Sequence, residues 1–207
     1  MGLSAAELRT SIEALSAIEP AFAAAIDRVG YPAPRINPRG HATLLRTIIG
    51  QQVSTQSAQA VWNKLAGIAG DLSDPESIAR ASDDQLRAAG LSRQKLGYAR
   101  SLADEVTSGR LDLGHLPPDD EDAIAALVAI KGIGRWSAEV YLLFAEGRAD
   151  IWPAGDLAVQ IEIGRILGHE ARPSEKLTRQ LAEPWRPHRG AAAIFTWHHY
   201  GSEMKVI

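Results

Sequence analysis

The sequence contains no cysteine. A chain without cysteine forms no disulfide, and it has no thiolate to hold a zinc ion or an iron–sulfur cluster. It also lacks a run of the ~18 apolar residues that a membrane-spanning helix needs. The first residues, up to Ile18, mix Glu7, Arg9 and Glu13 with apolar side chains, which is unlike a signal peptide. We therefore expect an intracellular, cytoplasmic protein with no membrane partner.

The sequence also has no excess of basic over acidic residues. The chain has 22 Lys and Arg against 25 Asp and Glu, so its formal net charge is −3. Proteins that bind nucleic acid usually carry a basic surface, and the composition argues mildly against such a partner. Net charge says nothing about local arrangement, however, because backbone amides can bind phosphate with few lysines. A functional hypothesis must therefore depend on motifs.

Apolar residues recur at helical spacing along most of the chain, whereas alternating strand patterns are scarce. Glycine and proline separate these segments, so we predict an all-α fold of roughly ten short helices. One stretch, Leu157 to Ile163, alternates as a strand would. We predict a helix there too, because Asp156 supplies a cap before it and Gly168 a stop after it.

A short segment from Lys131 to Arg135 separates two predicted helices. Gly132 and Gly134 allow the backbone to turn tightly, while Ile133 can insert between the helices. The second helix would then begin with free N–H groups, which can bind an anion such as a DNA phosphate. A Gly-x-Gly pattern alone is more often a plain turn, so the surrounding sequence is needed to distinguish a DNA-binding hairpin from a turn between packed helices.

The wider segment from Leu127 to Ala138 resembles the hairpin of the helix-hairpin-helix DNA glycosylase superfamily, and Asp156 follows it at the spacing of that family. Four further segments resemble the 3-methyladenine DNA glycosylase II family: Ile48–Ser54, Gly90–Lys95, Pro153–Leu157 and Trp185–Pro187. The resemblance implies a two-lobed fold with a cleft between the lobes and without the N-terminal β-rich domain of some relatives. One lobe would span 40–148 and end in the helix-hairpin-helix at about 121–145, and 1–39 plus 149–207 would form the other, which carries Asp156.

The resemblance further implies base excision repair of double-stranded DNA, with hydrolysis of the N-glycosidic bond of flipped-out alkylated bases such as 3-methyladenine and 7-methylguanine. Cleavage builds positive charge on the deoxyribose, so a carboxylate against the sugar stabilises the transition state. Asp156 is the candidate catalytic residue, although a helix cap is its alternative role. Trp136 stands where bifunctional relatives carry a Schiff-base lysine, and we therefore expect a monofunctional enzyme that leaves an abasic site.

The same resemblance assigns the base pocket and the DNA wedge. Trp136 and Trp197 would be pocket walls, because an indole face attracts a cationic methylated purine by ~1 to 2 kcal/mol. Gln51 and Val140 are the other implied pocket residues, and Gln52 would fill the gap left by the extruded base. Alternatively, the two tryptophans could pack in the core, and the two glutamines could lie at a solvent-exposed helix end.

Binding of DNA phosphates is predicted for four hairpin residues: Lys131, Gly132, Gly134 and Arg135. The resemblance also implies a monovalent cation, Na+ or K+, held by the backbone carbonyls of Val128, Ile130 and Ile133. No cofactor is expected to be required, and no iron–sulfur cluster is expected. We interpret His188, His198 and His199 as surface or packing residues, and we expect a monomer.

Alternative functions remain open at this point. The chain could be a non-catalytic helix-hairpin-helix DNA-binding protein, a bifunctional lyase, or a glycosylase for a different class of lesion. It could also be an all-α protein-interaction domain with no role in nucleic-acid binding, which would show no salt-sensitive binding to DNA.

Overall fold

A computed structural model describes residues 2–203, with only the backbone of Glu203, and all regular structure in this part of the chain is helical. The α-helices are α1 (Ala5–Ile18), α2 (Pro20–Val29), α3 (His41–Gly50), α4 (Thr55–Ala69), α5 (Pro75–Arg80), α6 (Asp83–Ala88), α7 (Arg93–Thr107), α8 (Asp120–Val128), α9 (Arg135–Tyr141), α10 (Leu157–Ile166), α11 (Glu175–Leu181) and α12 (Arg189–Glu203). A π-helical turn covers Leu142–Glu146, and a 3-10 turn covers Glu183–Trp185. The all-α prediction is confirmed. Among these helices none is long and apolar enough to cross a bilayer.

Several helix starts follow from capping residues in the sequence. The Asp119 carboxylate accepts hydrogen bonds from backbone N–H groups in the first turn of α8, and the Ser54 hydroxyl caps α4. Asp156 caps α10, so the alternating stretch is a helix as predicted. Val159 and Ile163 lie four residues apart and are both buried, whereas Leu157 is 56% exposed. The burial pattern therefore follows the helical period.

The described residues form two compact units, one from Asn37 to Tyr141 and the other from the segments up to Ile36 and from Leu142 onward. The lobe limits at residues 40 and 148 stay a prediction. Within the first unit α7 packs against α3, α5 and α6. Arg100 of α7 donates hydrogen bonds to the carbonyls of Ile78 and Ala81 and to the Asp83 carboxylate, at 2.5, 2.6 and 2.7 Å. This one guanidinium thereby fixes the end of α5 and the start of α6.

In the other unit α12 packs against α10, α1 and α2. A buried polar network joins α10 to α12: the His199 Nδ1 lies 2.5 Å from the Glu162 carboxylate, and the His199 Nε2 lies 2.9 Å from the Arg28 guanidinium. Arg165 also contacts Glu162, at 2.6 Å. Since Glu162 is fully buried, these partners offset the cost of removing its carboxylate from water.

Candidate active site

Asp156 occupies the N-cap position of α10, and its backbone is extended there. Its Oδ1 accepts a hydrogen bond from the backbone N–H of Val159 at 3.0 Å and a second from the Trp197 Nε1–H at 3.2 Å. The preceding turn is held by Gln160, whose side-chain amide donates to the Ala154 carbonyl at 2.8 Å. Helix α10 therefore fixes both the carboxylate and the loop that presents it, and the candidate catalytic group is also the helix cap.

Trp197 belongs to α12 and is half-buried. Its ring packs against Phe144 with 5.6 Å between the ring centroids, and the Arg35 guanidinium lies 4.9 Å from the Phe144 centroid. Aromatic pairs at this separation are favourable. The unit that contains Asp156 thus brings together two predicted site residues, Asp156 and Trp197, in direct contact, and Phe144 fixes the orientation of the indole.

The hairpin between α8 and α9 turns at Gly132, whose φ is +86°. A Cβ at this position would lie only 2.2 Å from the Cδ2 of Tyr98, because the tyrosine ring of α7 covers the glycine. Ile133 is buried, as the motif predicted. Two independent constraints, the left-handed backbone and the tyrosine ring, therefore require glycine at residue 132.

The hairpin backbone presents hydrogen-bond donors. Among the residues that the structure describes, no protein acceptor binds the backbone N–H of Gly132 or of Gly134. Lys131 is exposed, and its own N–H donates to the Ser101 hydroxyl at 3.0 Å. Unsatisfied, outward-facing amides are the groups that bind phosphate in turns and nests.

Arg135 has a second role besides the predicted phosphate contact. Its guanidinium donates to both carboxylate oxygens of Glu121 at 2.8 and 2.5 Å, and to Glu139 at 2.9 Å. The hydrogen bonds to Glu121 raise the pKa of Arg135 above its ordinary value. Glu139 is buried, so Arg135 neutralises a buried carboxylate and joins the first turns of α8 and α9. Its phosphate contact stays a prediction.

The two glutamines after α3 differ in their surroundings. The Gln51 side-chain amide donates to the Gly132 carbonyl at 2.8 Å, which ties this loop to the hairpin. Gln52 is exposed and has φ +55°, the one positive φ of a non-glycine residue in the described chain. Such a conformation is costly for a residue with a side chain. The loop thus holds the predicted wedge outward in a conformation that its neighbours must stabilise.

The remaining predicted residues lie on α9 and at the hairpin. Trp136 is 49% exposed, which is unusual for so large an aromatic side chain, and Val140 is half-buried. The Ile130 carbonyl, one of the three predicted cation ligands, accepts the N–H of Ile133 at 3.0 Å, and Val128 is exposed. The roles of all of these residues stay predictions.

The histidines contribute to packing contacts. His199 lies in the buried network with Glu162, and the His198 Nε2 lies 3.0 Å from the Val29 carbonyl. Within residues 2–203 no group of three or more His, Cys, Asp or Glu side chains is arranged to hold a metal ion.

The comparison with protein families identifies the class of protein. The sequence matches the family described as HhH-GPD superfamily base excision DNA repair protein over residues 45–187. This match covers more than half of the chain, and the chain belongs to this superfamily.

Individual relatives within this superfamily are 3-methyladenine DNA glycosylases. DNA-3-methyladenine glycosylase 1 of Schizosaccharomyces pombe is 30% identical over 158 residues, which cover 74% of this chain and 69% of that protein. A crystal structure of a DNA-3-methyladenine glycosidase from Bacillus halodurans is 29% identical, with a TM-score of 0.87 over 94% of this chain and 91% of that chain. The S. pombe 3-methyladenine DNA glycosylase in complex with abasic DNA is 26% identical, with a TM-score of 0.74 over 94% of this chain and 97% of that one.

Sequence reasoning missed three residues that shape these sites. Tyr98 covers Gly132, Lys95 contacts the end of α3, and Phe144 packs on Trp197. The Gly90–Lys95 segment enters the prediction only as part of the resemblance. A signal for Tyr98 was available, since it lies one helical turn after Gln94 and hence close to the same motif.

Proposed function

We propose that this chain is a monofunctional DNA glycosylase that hydrolyses the N-glycosidic bond of alkylated bases in double-stranded DNA. The observation that carries the proposal is the geometry of Asp156. Its carboxylate lies at the first turn of α10, and one of its oxygens is held by two donors, the Val159 N–H and the Trp197 indole N–H. An oriented carboxylate of this kind suits the stabilisation of a cationic sugar.

The reaction requires little from the protein beyond orientation and charge. As the glycosidic bond breaks, its electron pair leaves with the base, and positive charge develops on the deoxyribose. The Asp156 carboxylate stabilises that charge, and a water molecule then adds to the sugar and releases a proton, which leaves an abasic site. A base that already carries a positive charge, such as 7-methylguanine, departs as a neutral molecule without prior protonation.

The aromatic residues support an alkylated purine as the substrate. Phe144 packs on one side of Trp197, so a flipped base would stack on the other side of the indole. Trp136 on α9 is half-exposed, and we propose it as a second aromatic contact of the base. An indole attracts a cationic ring more strongly than a neutral one, by about 0.5 to 2 kcal/mol, and this difference favours methylated over unmodified purines.

The hairpin supports binding of the DNA backbone, with the Gly132 and Gly134 amides as donors and Lys131 as an exposed cation. We propose that a monovalent cation binds at the carbonyls of Val128, Ile130 and Ile133. Carbonyl oxygens have two lone pairs, so the Ile130 oxygen can accept the Ile133 N–H and still coordinate an ion. The bound cation would supply positive charge near the phosphate.

The Asp156→Asn variant tests the catalytic assignment. Asparagine caps helices about as well as aspartate, so the variant keeps an oxygen for the Val159 and Trp197 donors and removes only the charge. We expect the release of 7-methylguanine from alkylated duplex DNA to fall by ~10² to 10³-fold, the usual loss on removing one electrostatic group from an active site. The exposed Asp27 provides the matched control, Asp27→Asn. Equal rates for Asp156→Asn and wild type would refute the mechanism and favour a non-catalytic DNA-binding protein.

Two further assays define the reaction. Borohydride should trap no covalent protein–DNA adduct, because no lysine stands at residue 136; a trapped adduct would show that the enzyme is a lyase. A release assay against methylated purines, methylated pyrimidines, hypoxanthine and uracil should give the highest rates for the cationic methylated purines. A higher rate for neutral bases would place the protein in a different lesion class.

A further inference from the structure

A depression of about 140 Å³ lies where the end of α3, helix α7 and the hairpin meet, inside the unit from Asn37 to Tyr141. It is lined by Gln51, Gln52, Gln94, Lys95, Tyr98 and Gly132. The volume greatly exceeds the ~10 to 15 Å³ that a single water needs, and no lining residue is acidic. The depression therefore has the size and the charge of a site for a small anionic group.

Lys95 supplies the positive charge of this depression. Its ammonium donates one hydrogen bond, to the Ile49 carbonyl at 2.7 Å. Within residues 2–203 no carboxylate and no second protein acceptor contacts this ammonium. Partial burial lowers the pKa of Lys95, because the ammonium loses water on burial and has no carboxylate beside it. An ammonium group has three donors, and two of them therefore have no partner in the described part of the protein.

Two further groups of the depression are donors without a protein acceptor. Tyr98 Oη accepts a hydrogen bond from the Gln94 amide at 2.6 Å, and its own proton has no acceptor among the described residues. The Gly132 N–H is likewise without a protein acceptor in the described chain. The Gly132 carbonyl accepts the Gln51 amide, and the lining glutamines contribute amide oxygens as well as N–H donors. Donors of an ammonium, a hydroxyl and a backbone amide thus lie in one depression without protein acceptors and without a carboxylate, an arrangement complementary to a group that only accepts hydrogen bonds.

We infer that this depression binds a backbone phosphate of the DNA, with the Lys95 ammonium and the Tyr98 hydroxyl as its ligands. The inference rests on the proposed function, since it takes DNA as the substrate, and it assigns a phosphate contact outside the hairpin motif. The phosphate site shares its wall with Gln52, and Lys95 also holds Ile49 of α3. Binding of the phosphate therefore fixes the loop that carries the wedge.

A helix-end contact alone would also explain the position of Lys95, and the salt dependence of DNA binding separates the two roles. Each phosphate neutralised contributes about −0.9 to the slope of log K against log salt concentration. The probe is a duplex with a tetrahydrofuran abasic-site analogue. We expect Lys95→Met to reduce the slope by about 0.9 and to weaken binding several-fold at low salt. Lys64→Met, which removes an exposed lysine of α4, should leave the slope unchanged.

Lys95→Gln and Gln94→Glu complete the test. Glutamine can still donate to the Ile49 carbonyl but carries no charge, so Lys95→Gln should show the reduced slope with better stability than Lys95→Met. Gln94 is exposed, and a carboxylate in its place should fold normally but repel the phosphate and weaken binding about tenfold. The exposed Gln180, on α11, provides the same chemical change as a control, Gln180→Glu. A neutral methylphosphonate at the contacted phosphate should weaken wild-type binding but not binding by Lys95→Met.

Unchanged slopes for both Lys95 variants would overturn the inference and leave Lys95 as a helix-end contact. Normal affinity of Gln94→Glu would overturn it too. Failure of the proposed function has a different signature: wild-type protein would bind the abasic duplex with the full salt slope but release no base from alkylated DNA.

Discussion

Gly132→Ala is expected to destabilise the hairpin for two separable reasons. The residue has φ +86°, and a left-handed conformation costs an L-residue roughly 1 to 2 kcal/mol. The new Cβ would also lie 2.2 Å from the Tyr98 ring, and overpacking of this kind costs about 1 to 3 kcal/mol. The expected loss in the free energy of unfolding is therefore about 2 to 5 kcal/mol, a large part of the about 5 to 15 kcal/mol typical of a folded domain.

Gly109→Ala separates the two contributions. Gly109 has φ +73°, and a Cβ there would meet no heavy atom within 4 Å. This control has a positive φ as Gly132 does but no steric contact, so we expect a loss of only about 1 to 2 kcal/mol. Both variants lie in the unit from Asn37 to Tyr141, and the difference between them measures the contact with Tyr98.

Urea unfolding of the single variants and of the double variant Gly132→Ala with Tyr98→Ala gives the coupling energy. In the Tyr98→Ala background, Gly132→Ala should cost no more than Gly109→Ala does, which corresponds to a coupling of about 1 to 3 kcal/mol. Amide hydrogen exchange in α8 and α9 would show whether the loss is confined to the hairpin. Equal losses for the two glycine variants, within about 0.5 kcal/mol, would refute the proposed role of the tyrosine ring.

Three other changes have defined outcomes. Trp197→Phe removes the indole donor to Asp156 but keeps an aromatic ring. A hydrogen bond to a charged group contributes about 1.5 to 3 kcal/mol, so the single-turnover rate of base release should fall by about 10- to 100-fold. The affinity for abasic DNA should stay the same, and an unchanged rate would contradict this role of Trp197. Glu139→Gln weakens the ion pair with Arg135. It should lower the free energy of unfolding by about 1.5 kcal/mol, the low end of that range, because the Arg135 side chain is 40% exposed; a loss near zero in urea unfolding would argue against the pair. Burial lowers the pKa of His41 below 6.5, so His41 binds a proton more readily in the unfolded chain than in the folded one. The free energy of unfolding should therefore decrease as the pH falls from 7 to 5. His41→Asn should flatten this decrease by up to about 1.4 kcal/mol per pH unit, and equal pH profiles would count against the buried imidazole.

Local patterns in the sequence were enough to predict much of the fold. Asp156 caps the helix that the pattern assigns to it, because a cap depends on residues only two or three positions away. The stretch after Asp156 shows the limit of periodicity: its alternation favours a strand, and the cap and the glycine decide for a helix.

Contacts between distant segments could not be predicted in this way. The covering of Gly132 by Tyr98, the bond from Lys95 to the Ile49 carbonyl and the bond from Gln51 to the Gly132 carbonyl all join residues far apart in sequence. Arg135 gives a second example, because nothing near it in sequence indicates that Glu121 binds its guanidinium. These contacts arise only when helices pack, and they determine the surroundings of the predicted site residues.

The positive φ of Gln52 restricts which amino acids can serve at the tip of this loop. Glycine and asparagine adopt a left-handed backbone most readily, unbranched side chains tolerate it at a cost, and valine or isoleucine are the least suitable. The side chains that hold the loop belong to Gln51 and Lys95 and not to Gln52 itself. Residue 52 can therefore change its chemistry among these side chains while the loop keeps its shape. If Gln52 is the wedge that we predict, such changes would alter the preference for the base left opposite the lesion.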